Sequence, residues 1–176
     1  VGRDAEMVML EDKWQQAKEG EGQLVLLCGE PGIGKSRIIQ ELRERVRTEG
    51  AATFLYQCSP FHTNTAFYPI SETIARVAGF SADDDATAKL DKIDTHLRQI
   101  GLSVDEAAPL VAGALSIPTG ERYPPLEMSP QKQKQRTVEA LAEAMTASAD
   151  QIPVLFLVED MHWCDPSSLE TATRIV

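Results

Sequence analysis

The chain has 176 residues, 43% of them apolar and 25% charged, which is enough for one domain with a packed core and too little for two large ones. Its formal net charge of −10 opposes non-specific attachment to DNA, RNA or anionic membranes, while leaving room for a local pocket that holds one phosphate group. No apolar run approaches the ~18 residues that a bilayer span requires, and no signal peptide opens the sequence, so a cytoplasmic protein is expected.

The three cysteines, Cys28, Cys58 and Cys164, form no Cys-x-x-Cys pair and read as buried, reduced thiols. The chain opens on Val1 and stops at Val176 inside an expected helix, and both ends read as cuts from a longer polypeptide.

In chain order, residues 4–19 read as a helix that Asp4 can cap, with Met7, Leu10, Trp14 and Ala17 on one face and Gly20 and Gly22 stopping it. Leu24 to Cys28 (LVLLC) is a continuous apolar run of the kind found in a strand buried on both faces of a parallel sheet. A glycine-rich turn follows. The period then returns to helical over Lys35–Thr48, with Ile38, Ile39, Leu42 and Val46 apolar. Ala52–Gln57 reads as a second strand leading to a turn at Ser59-Pro60, and Pro69 opens a helix that reaches about Ala78.

Asp83, Asp84 and Asp85 read as a solvated helix start. Helices are expected over about 84–99 and 104–114, and a proline-rich loop over 115–129. Ser129-Pro130 starts a long helix to about Ala149, with a serine cap followed by proline at the first helical position. Pro153–Val158 is the third buried-strand candidate, and a last helix begins after Asp165-Pro166, with Asp165 as its cap. Strands alternating with helices argue an α/β protein with a parallel sheet. The helical stretch of about 69–149 is too long for one crossover and reads as an insertion between the second and third strands.

Gly29-Glu30-Pro31-Gly32-Ile33-Gly34-Lys35-Ser36 fits G-x-x-x-x-G-K-[ST] completely. A loop that wraps a polyphosphate closely has no room for side chains and needs positive φ at several positions, which Gly32 and Gly34 supply. Its successive N–H groups then form an anion nest, and the following helix adds its unpaired N–H groups and positive dipole end. Lys35 is placed to bridge the β- and γ-phosphates and the Ser36 hydroxyl to ligate Mg²⁺.

The second half of such a site is an acid at the end of a neighbouring strand, which Val154–Asp160 (VLFLVED) provides. Glu159 is the position expected to face the metal and Asp160 to polarise the attacking water, or the two roles are exchanged. His162 has two readings, a γ-phosphate sensor or a structural histidine beside Trp163. Trp163 reads as packing rather than as a base-stacking platform.

These residues resemble the STAND branch of AAA-type P-loop ATPases. Four stretches carry the resemblance: Val1-Gly2-Arg3-Asp4-Ala5-Glu6; Gly29 to Ser36 with Arg37; Cys58-Ser59-Pro60-Phe61-His62 through Tyr68-Pro69; and Leu157 to Ser168 (LVEDMHWCDPSS). The last two resemble the ATPase modules of bacterial class III adenylate/guanylate cyclases and of large LuxR- or MalT-like transcriptional regulators. The resemblance implies a three-layer αβα P-loop fold over 1–176, incomplete C-terminally, with ATP and Mg²⁺ as cofactors. It places Val1, Gly2 and Arg3 along the adenine and Glu30, Pro31, Ile33 and Arg37 within the nucleotide site. For Arg3 and Arg37 a plain surface role is the alternative. ATP is implied over GTP, and the guanine-reading N-K-x-D is absent. The acidic pair is Glu159-Asp160 where many relatives carry two aspartates.

Three functions are compatible with this reading. The first is a signal-transducing ATPase regulating a cyclase or a DNA-binding output domain through further C-terminal domains of the same chain, with turnover weak or absent in this segment alone. The second is a DNA-processing or remodelling ATPase, which the charge opposes. The third is a scaffold in which nucleotide is structural.

Overall fold

The computed structural model describes residues 4–175; Val1, Gly2 and Arg3 lie outside the described residues, and so does their expected adenine contact. The elements in chain order are helix α1 (Asp4–Lys18), α2 (Lys35–Thr48), strand β1 (Ala52–Gln57), α3 (Tyr68–Val77), α4 (Ala86–Gln99), α5 (Val104–Ala114), α6 (Pro130–Ala149), strand β2 (Val154–Glu159), a 3₁₀ turn (Met161–Trp163) and α7 (Pro166–Ile175). β1 and β2 are neighbours in one two-stranded sheet. Ala52 N–H donates to the Pro153 carbonyl at the start and Cys58 N–H to the Glu159 carbonyl at the end, so the strands run parallel. No described helix is long and apolar enough to cross a membrane.

The chain divides into two compact units, one of residues 4–54 with 152–156 and one of 55–151 with 157–175. In the first, the i, i+3, i+7 spacing of Met7, Leu10 and Trp14 on α1 meets the i, i+4, i+8 spacing of Ile38, Leu42 and Val46 on α2, and all six side chains are buried. Ala17, Ala51 and Leu155 flank this core. At its edge Glu49 accepts from Trp14 Nε1 (2.9 Å) and from Lys18 Nζ (2.8 Å). Lys18 first and Trp14 second hold the Glu49 carboxyl below its ordinary value. Asp4, expected as a cap, is instead the first residue of α1, in an acidic first turn with Glu6.

The apolar run 24–28 is not a strand. It carries no ladder among the described residues, and Leu24 and Leu26 are 75% and 72% exposed. Cys28, expected to be buried, is exposed. Apolar composition makes a segment fit to be a strand, but the strand exists only where a neighbour supplies hydrogen bonds, and the sheet here has two members. β2 departs from expectation in the same direction, since each of its six residues is only partly buried.

In the second unit α4 packs on α5, α5 on α6, and α6 on α7. The caps follow their sequence signals: Asp85 accepts from Ala88 N–H and Ser129 from Lys132 N–H, with Pro130 next. Ile70, Leu90, Ile93, Leu97, Leu110, Val111, Val138 and Leu141 fill the interior. Tyr56 of β1, fully buried, donates its hydroxyl to Met145 Sδ (3.1 Å), and Thr73 of α3 donates to the Leu55 carbonyl (2.6 Å). The loop 115–129 is held by Asp94, a buried acid on the apolar face of α4, which accepts from Arg122 (2.6 Å) and from the Tyr123 hydroxyl.

Candidate functional site

The glycine-rich segment forms a closed loop at the start of α2. Gly32 and Gly34 have φ of +81° and +99°, the left-handed region in which a side chain costs about 1–2 kcal/mol. Gly29 is required for space instead: a Cβ there would lie 3.1 Å from Ile33 Cγ2. Ile33 N–H turns back to the Glu30 carbonyl (3.4 Å), and Pro31 lies within that turn. The first backbone bond of α2 runs from Ile38 N–H to the Gly34 carbonyl, so the N–H groups of Lys35, Ser36 and Arg37 precede the helical ladder.

Lys35 reaches back across the loop and donates to the carbonyls of Gly29 (2.6 Å) and Glu30 (3.0 Å). The Lys35 ammonium therefore rests on two loop carbonyls at the positive end of a helix, with the Ser36 and Arg37 side chains exposed beside it. These residues fit an anionic polyphosphate with a coordinated divalent cation: donors and one positive charge face it, and the glycines leave its path clear.

The acidic pair lies in the second unit. Glu159 is the last residue of β2 and half-buried. Asp160 is exposed and left-handed, with φ 53° and ψ 44°. Its carbonyl accepts from Trp163 N–H (2.8 Å), and Cys164 N–H donates to Met161 (3.0 Å), closing the 3₁₀ turn. His162 and Trp163 meet with ring centroids 4.9 Å apart at 48°. Trp163 is 41% exposed, so it is not the packed residue the sequence suggested.

Asp165 does cap α7: one carboxylate oxygen accepts from the N–H groups of Ser167 (3.1 Å) and Ser168 (3.0 Å). The same oxygen accepts from Phe67 N–H (3.0 Å), 98 residues away, which nothing in the sequence signals. Phe67 itself is left-handed, with φ 61°, immediately before α3. Burial, first of all, pushes the Cys58 thiol up to about 12, with Cys164 as the next cause, and burial raises Cys164 as well.

The family model described as AAA ATPase domain matches residues 1–175, nearly the entire chain. The chain belongs to the AAA ATPase domain family. Membership carries the P-loop α/β fold, of which the described residues show seven helices and a two-stranded parallel sheet. An uncharacterized protein of Rhizobium meliloti (strain 1021) is 29% identical to this AAA ATPase domain over 180 residues. That alignment takes in 100% of the chain and 17% of the relative, so the chain spans about a sixth of the length of that protein. No solved structure gives a significant match.

Proposed function

We propose that this AAA ATPase domain binds ATP with Mg²⁺ through Gly29–Arg37, hydrolyses it, and serves as the regulatory module of a longer signalling protein. The observation that carries the reading is the formed loop, with Gly32 and Gly34 left-handed and Lys35 laid over the carbonyls of Gly29 and Glu30. On ATP, Lys35 would exchange these carbonyls for β- and γ-phosphate oxygens, and the amide hydrogens of Gly32, Gly34, Lys35 and Ser36 would hold the rest of the chain of phosphates. Mg²⁺, for which the sequence pattern offers Ser36 and Glu159 as ligands, would neutralise phosphate charge. Asp160 would orient the attacking water and take up its proton, with the exchange of roles between the two acids left open by their adjacency.

On this reading residues 1–176 are one P-loop core, and about 69–149, which hold α3 to α6, are a helical insertion within it. The STAND-type resemblance extends the proposal to the parent: a cyclase or a LuxR- or MalT-like regulator, in which ATP binding biases further domains between two states. The net charge of −10 supports a partner other than nucleic acid for this module. The test of the catalytic assignment is Asp160→Asn in the full chain. ATP affinity is expected within about threefold of wild type while turnover falls at least about a hundredfold, the usual share of a positioned general base. Turnover equal to wild type removes Asp160 from that role.

A further inference from the structure

We infer that Asp165 is a positioning residue whose buried carboxylate bolts the loop leaving β1 to the acidic turn leaving β2. The inference rests on the catalytic reading of Asp160 and concerns the second unit alone.

A helix cap at the surface satisfies two backbone donors and leaves its other oxygen to water. Asp165 is instead 1% exposed, and its second carboxylate oxygen has no hydrogen-bond partner among the described residues. Burying an acid in that way is costly, and capping α7 does not require it. The burial is explained by the third donor, Phe67 N–H, which only an inward-facing carboxylate can reach.

The two segments that Asp165 joins are each stiff. The β1 loop is a succession of tight turns, with His62 N–H on Ser59, Thr65 N–H on His62 and Tyr68 N–H on Thr65. The His62 and Tyr68 rings stack across it at 3.6 Å and 10°. The β2 side is the 3₁₀ turn closed by Trp163 N–H on Asp160. Cys58 N–H on the Glu159 carbonyl joins the segments at their base, and Asp165 to Phe67 joins them at the far end. With both joints made, the turn that carries Asp160 is tied to the β1 loop at each end. Loss of the outer joint frees the turn while leaving the strand pairing intact.

The experiment compares Asp165→Asn, Asp165→Ser and Asp165→Ala in the full chain, reading amide hydrogen exchange at Phe67 and at Ser167–Ser168 together with ATP affinity and turnover. Asparagine keeps an acceptor in place and is expected to hold Phe67 exchange within about threefold of wild type. Serine still caps α7 but is too short to serve Phe67 as well. Phe67 exchange is therefore expected to rise at least tenfold in the serine and alanine variants. In the serine variant the α7 amides stay protected, kcat falls at least tenfold, and ATP affinity is unchanged.

Should the alanine variant not fold, the serine and asparagine pair decides. Unchanged Phe67 exchange in the serine variant overturns the inference, as does faster exchange with kcat unaltered. If the wild-type chain binds ATP without turnover, the catalytic reading fails on its own and Phe67 exchange alone judges the joint.

Discussion

Asp160 pays about 1–2 kcal/mol for its left-handed backbone, and the neighbouring hydrogen bond from Trp163 N–H accounts for about as much in return. Its place at a strand end was legible because an apolar run ending in two acids has few other uses beside a P-loop, whereas its φ had no signal in the sequence. Asp94 was legible in principle, as an acid on the same helical face as Leu90, Ile93 and Leu97 must find donors, although which residues supply them depends on a loop 28 residues on. The cysteines divide by surroundings that the sequence does not show. Cys28 is exposed, while burial raises Cys58 and Cys164 and so depletes their thiolates at neutral pH. In the folded chain at pH 8, an aromatic disulfide reagent is expected to label Cys28 at least tenfold faster than Cys58 or Cys164, as read by peptide mass analysis. Equal rates would place Cys28 in an environment as closed as theirs.

Among elements, helices were the most legible because their signals are local: Asp85, Ser129 and Pro130 announce starts, and the 3.6-residue period of α1 and α2 gives the face that meets the other. Strands were less so, because Leu24–Cys28 has the composition of a buried strand and no partner to make it one among the described residues. The α1–α2 pair also positions the phosphate loop, since the loop ends where α2 begins. Leu42→Ala opens a cavity under that helix and is expected to destabilise the chain by about 2–4 kcal/mol in denaturant unfolding. A loss below about 1 kcal/mol would mean that the pair does not act as a core.

For the whole molecule, the AAA ATPase family match covers residues 1–175, and the chain spans 17% of the Rhizobium meliloti relative. The positive φ of Gly32 and Gly34 was legible because a loop that wraps so tightly admits little but glycine at those positions. The Asp165–Phe67 joint was not, since it forms only once two strand ends lie side by side. The proposed nucleotide binding depends most on Lys35 at the start of α2. Calorimetric titration of the full chain with ATP and Mg²⁺, wild type against Lys35→Ala, tests it most directly. Loss of one charge-assisted contact to phosphate predicts affinity at least about thirtyfold weaker, with an unchanged far-ultraviolet dichroism spectrum. Equal affinity in the two proteins would contradict it.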